Sequence, residues 1–298
     1  MRHARAVGVL VAIIVCASLA ASLAGILSSH GPGEYEYTSI RGENVTVYGR
    51  GFYRHMPSDV AVQGIAQDYV TLLVGIPLLA ASFLLARNGS RRGRFLLAGA
   101  LGYFAVTYVF YLCMAMYNEL FLLWVLLASA SFYAFILAVL SFDLDGIKSW
   151  FGKNVPHRLV GGFLMVNAGL IGVMWLGVVV PPLLDGSIYP ADLYHFTTLI
   201  VQGLDLSILL PASFLAGLLF LQRRRYGYLL APVYIVFLSL LMTALSAKVV
   251  AMSLSGVGAG PALVVIPSIA AVAIMCAGLT LRSVHGDGQA VNGAMAGS

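Results

Sequence analysis

Four polar residues stand at helical spacing in an apolar run of the second half: His195, Thr198, Gln202 and Asp205, within HFTTLIVQGLDLSILLP. Steps of three, four and three put them on one helix face, inside an arc of roughly 80° at about 100° per residue. Asp205 then lies roughly 15 Å along the axis from His195. A carboxylate so placed can act as acid or base, as a counter-ion, or as a packing partner. The basic partner in reach is Lys248, near the end of the next apolar run. Breaking a buried pair of that kind costs about 3–5 kcal/mol.

An echo of this passage occurs at 55–77, HMPSDVAVQGIAQDYVTLLVGIP. It offers His55, then Asp59, Gln63, Gln67 and Thr71 at successive steps of four, with Asp68 on an adjoining face. Ionisable groups inside a membrane segment are costly and mark functional sites by default. The candidate ligand-binding residues are therefore Asp205, Gln202, His195, Thr198, Asp68, Gln63, Gln67, Lys248 and His55. Asp68 lies close enough to the interface for solvation alone to account for it.

The elements that carry these residues follow from composition. The chain is 60% hydrophobic and only 10% charged, against about a quarter charged in a soluble domain. Several apolar runs of about 20 residues define an all-α polytopic membrane protein. Eight spans are predicted, at 6–27, 66–87, 95–116, 120–142, 159–181, 196–221, 228–252 and 261–281. The first also fits a signal peptide, with RHAR ahead of small apolar residues, but its length exceeds the usual apolar core of about 7–15 residues. It is kept as a membrane helix.

Orientation follows from Lys and Arg in the loops. With the N-terminus inside, thirteen of the 17 basic residues are cytoplasmic, and only Arg41, Arg50, Arg54 and Lys248 lie towards the other side. Both termini are then cytoplasmic, in a multi-pass protein of the cell membrane. Topology explains the basic clusters RNGSRRGR and QRRR, so the net charge of +5 calls for no nucleic acid. The partners expected are the lipid bilayer and a small-molecule or lipid ligand. Most of the acids fall on the outer side, which fits either a polar outer surface or simply a large outer loop.

That loop, 28–65, alternates apolar and polar residues around a Gly turn in YEYTSIRGENVTVYGRGFY, and reads as a small β-hairpin over the outer mouth. Cys16, Cys113 and Cys276 all sit in apolar segments, without zinc or disulfide spacing, and read as buried small hydrophobes. The tail from 283 to 298, rich in small residues, reads as disordered.

The chain also resembles itself. Residues 1–145 and 146–282 read as two tandem four-helix halves, a parallel repeat of the kind found in transporters. The offsets drift, however: 140 between His55 and His195, 139 between the Gln-Gly pairs, 134 between Pro77 and Pro211 and between Gly93 and Gly227. A straight helix cannot absorb that drift, so a helix is interrupted or one of the matches is accidental.

Three functions are compatible with these features. An outward-facing pocket for a lipid, quinone or other small molecule suits polar groups gathered in the outer third. A secondary transporter suits the repeat and the midplane prolines, although the inner halves of spans 2 and 6 carry only Ser as a polar residue. A haem protein would use His55 and His195 as axial ligands. The layout is similar to that of haem A synthase, with eight helices in two four-helix halves, but that family's Glu-x-x-His-Arg motif is missing and spans 4 and 8 hold no His.

Overall fold

The computed structural model describes residues 3–285 except 188, 191, 192, 257 and 259. Eight helices are long and apolar enough to cross a membrane: α1 Ala4–Leu27, α2 Ser58–Arg87, α3 Arg91–Met114, α4 Phe121–Leu140, α5 His157–Leu184, α6 Ile200–Leu221, α7 Arg225–Leu254 and α8 Ala262–Arg282. In hydrocarbon a helix satisfies its own backbone polar groups, which is why apolar runs of this length take that form. Between α1 and α2 lies the predicted hairpin, β1 Tyr35–Thr38 paired antiparallel with β2 Asn44–Val47.

The most buried spans, α3 and α7, form the centre of the bundle. They meet at Gly99, where an added Cβ would lie 2.5 Å from Val236 Cβ and 2.9 Å from the Val233 carbonyl oxygen. Around them α4 packs on α3 and α1, α8 packs on α7, and α5 packs on α6.

Helices α2 and α6 are both interrupted. Each contains one π turn, Thr71–Gly75 in α2 and Asp205–Leu209 in α6. The cause is the proline that follows each, Pro77 and Pro211. Proline lacks an N–H, and its ring crowds the carbonyl four residues back. Widening the turn relieves this: Ile76 N–H bonds to Thr71 O, and Leu210 N–H bonds to Asp205 O.

The turn into the next helix is also alike in both places. Gly89 and Arg223 each take a left-handed conformation, with φ of 96° and 52°. Gly93 then packs against the backbone of Leu85 and Ala86, and Gly227 against that of Leu219 and Phe220. π turn, proline, left-handed residue and close-packed glycine all recur at the spacing of Pro77 and Pro211. The longer spacing of the His and Gln-Gly matches does not belong to this register. The second helix begins at Ser58, well before the predicted 66, whereas the sixth begins at Ile200, after the predicted 196.

Two smaller expectations are corrected. Cys16 and Cys113 are exposed on the outside of the bundle and only Cys276 is buried. The tail is ordered for its first residues: Val284 pairs with Phe151, and Arg92 donates to the Val284 carbonyl at 2.8 and 3.0 Å. Residues 286–298, for which disorder was predicted, lie outside the described residues.

Candidate functional site

At the hairpin end of the bundle, α2 packs closely on α7, while α6 only grazes α3. The gap left between α6 and α3 is a cavity of about 340 Å³. Its walls are mostly apolar, with Met56 from the turn before α2, Val60 from the start of α2, Phe110 and Met114 from α3, and Leu241 and Leu245 from α7. The segments of α2 and α6 beyond Pro77 and Pro211 contribute no lining residue.

Polar groups converge on this space from several helices. Gln63 and Gln67 come from α2, Thr107 and Tyr111 from α3, Trp175 from α5, Gln202 and Asp205 from α6, and Lys248 from α7. Gln67 is committed elsewhere: it donates to Tyr103 Oη at 2.7 Å, and Tyr103 in turn contacts Thr71 Oγ1 at 3.0 Å. The amides of Gln63 and Gln202 and the Lys248 amine make no hydrogen bond among the described residues, and so are available to the cavity.

Asp205 opens the π turn of α6, and its Oδ2 accepts from Trp175 Nε1 at 2.7 Å. The expected ion pair with Lys248 does not form, because Trp175 holds the carboxylate against α5.

Asp68 is not a solvated interface residue, nor does it line the cavity. It is 3% exposed, and it accepts from Tyr53 at 2.5 Å and from Tyr111 at 2.9 Å. Tyr111 also reaches the Gly64 carbonyl at 3.0 Å and lines the cavity, so it connects the two regions. Gly25 of α1 closes the cluster, since a Cβ there would lie 2.0 Å from Asp68 Oδ2.

The predicted stripe on α6 is only half helical. Gln202 and Asp205 lie on the helix, while His195 and Thr198 precede it in a segment that caps the cavity. Tyr194, at φ 49°, sends its hydroxyl to Asp59 Oδ2 at 2.5 Å, and Phe196 and Thr198 face the cavity. His195 does not line it. Its Nε2 lies 2.9 Å from the His55 carbonyl oxygen, and its ring stacks on Phe196 with a centroid separation of 5.7 Å. The hairpin joins the same latch, because Arg41 donates to the Tyr194 carbonyl and Tyr37 packs on the His195 ring.

His55 is exposed and outside the cavity, and its Nε2 accepts from Arg54 Nε at 3.1 Å. Nε2 is therefore engaged with protein at both histidines, while Nδ1 of His195 is buried without a hydrogen-bond partner among the described residues. Among the described residues no group of three His, Cys, Asp or Glu is placed to hold a metal ion.

Burial lowers the affinity of His195 for a proton below its ordinary value of 6.5. The unfolded or opened segment then binds protons more readily than the latched one, so latching strengthens as pH rises. The latch is fully held above about 6.5 and weakens as pH falls through that value towards the lowered one. Protection of the backbone amides of 193–199 against hydrogen exchange, after correction for the intrinsic pH dependence of the exchange rate, should be lower at pH 5 than at pH 7.5. Equal protection at both would contradict this role for His195.

Comparison with known proteins gives no match, whether to a family model, to a curated protein or to a solved structure.

Proposed function

We propose that this multi-pass membrane protein binds a small amphipathic molecule, such as a lipid-derived compound or quinone, in the cavity between α3 and α6. The observation that carries the reading is the combination of a mostly apolar wall with uncommitted amides and an amine directed into the same space. Ligand pockets have this composition, in a volume range of about 300–1,000 Å³. The positive-inside bias supports a hairpin end on the outer face with both termini cytoplasmic, and on that reading the pocket faces outward. The recurrence of π turns, prolines, turn residues and glycines at one spacing supports two tandem four-helix halves. On that reading Asp205 stands where the first half has Thr71, and Gln202 where it has Asp68, and both halves contribute walls to the cavity.

Leu245→Trp is the test, because it fills the cavity from α7 while keeping an apolar side chain. Saturable binding of decan-1-ol to the purified protein should weaken by about tenfold or more, a change of about 1.4 kcal/mol, with little change in melting temperature. No saturable binding to the wild type, or binding untouched by Leu245→Trp, would contradict the pocket.

A secondary transporter is favoured by one observation, the π turns beside Pro77 and Pro211. Interrupted helices near the midplane are where transporters place their sites. That reading requires the cavity to open at the opposite end as well. Vesicle uptake of a bound molecule would support it.

A further inference from the structure

The cavity presents two opposite charges that do not neutralise one another. Asp205 enters from α6 and Lys248 from α7. No ion pair joins them, and the only salt bridges among the described residues are Arg54–Glu119 and Arg225–Asp145, both elsewhere. Asp205 has a neutral donor in Trp175, which orients the carboxylate without cancelling its charge. Lys248 makes no salt bridge among the described residues, and both oxygens of Asp68 already accept from tyrosines.

Ionisable side chains held within a membrane span are expensive unless something pairs with them. Two such charges on different helices, facing one cavity and kept apart, are each short of a counter-charge. Molecules that supply both at once carry an ammonium and an acid group. The apolar wall formed by Phe110, Met114, Leu241 and Leu245 would take the rest of such a molecule.

We infer that the cavity binds a zwitterionic amphiphile, with its ammonium at Asp205, its carboxylate or phosphate at Lys248, and its apolar body against α3 and α7. Gln63 and Gln202 supply neutral donors and acceptors beside the charged groups. The inference rests on the pocket reading and narrows it to a ligand class. A free amino acid with an apolar side chain and an aminophospholipid headgroup share this chemistry.

The test uses four probes of matched chain length on the full-length protein in a neutral detergent: 2-aminodecanoic acid, decanoic acid, decylamine and decan-1-ol. Calorimetry should show the amino acid binding about tenfold or more tighter than each of the other three. Asp205→Asn should erase its advantage over decanoate, and Lys248→Met its advantage over decylamine. Competition by lysophosphatidylethanolamine but not lysophosphatidylglycerol would assign the site to a lipid headgroup; competition by neither would assign it to the free amino acid.

Equal binding of all four probes would overturn the zwitterion inference while leaving the pocket intact. An advantage that survives both substitutions would overturn it too. Binding of none would overturn the pocket reading itself. If either variant fails to fold, the wild-type series still decides.

Discussion

Gly25→Ala is expected to lose about 2–6 kcal/mol of stability, the sum of overpacking at about 1–3 and a disrupted buried hydrogen bond at about 1–3. The new methyl carbon would stand 2.0 Å from Asp68 Oδ2, 2.8 Å from the Tyr53 hydroxyl and 3.1 Å from Asp68 Cγ. A carboxylate at the end of a free side chain would swing aside. This one is fixed by Tyr53 on one oxygen and Tyr111 on the other, so it moves only by giving up a bond. The alternative is for α1 to withdraw from α2, which exposes the carboxylate to lipid. Thermal unfolding in detergent should register a large drop for Gly25→Ala and almost none for Gly162→Ala, where nothing lies within 4 Å.

Asp68→Ala removes the acceptor from the same cluster and should cost about 3 kcal/mol or more. Two buried phenols lose a partner at once, and an unsatisfied buried donor costs about 1–3 kcal/mol. Tyr111 retains the Gly64 carbonyl at 3.0 Å, which softens its loss. Tyr53, 1% exposed, gives up its bond to the buried carboxylate. Asp68→Asn keeps an acceptor and should recover most of the stability, while Tyr53→Phe should fall between. An alanine variant as stable as the wild type would mean that the cluster contributes nothing, and would remove the reason for a glycine at 25.

These expectations differ from those read off the sequence, and the differences have physical causes. The helices were legible because the bilayer demands long apolar runs, and the hairpin because alternation and a Gly turn are local signals. The start of α2 was legible too, yet missed. Pro57 followed by Ser58 and Asp59 is a helix-start pattern, and it places Asp68 well inside the helix rather than at its mouth.

Asp68 itself could not be read correctly from periodicity. Its partners lie 15 residues before it and 43 residues after it, and only the packing of α1, α2 and α3 brings them together. Trp175 was missed for a similar reason: an aromatic within an apolar span is ordinary until a carboxylate on a neighbouring helix meets its N–H. On α6 the spacing of His195, Thr198, Gln202 and Asp205 was regular, but spacing does not reveal where a helix begins. With the helix starting at Ile200, the first two became a cap and the last two part of the cavity wall. The duplicated Val-Gln-Gly pointed to one register and the prolines to another. The π turns, which only the structure displays, align with the prolines.

The account rests on the cavity between α3 and α6 being a binding site, and photo-crosslinking tests it most directly. A diazirine-bearing decanol, applied to the purified protein and mapped by peptide mass spectrometry, should label peptides containing Met114, Trp175, Gln202 and Leu245, saturably and in competition with unlabelled decan-1-ol. Leu245→Trp should suppress that labelling. Non-saturable label spread over the exposed apolar positions Val166, Leu170 and Val264, with none in the cavity, would contradict the account.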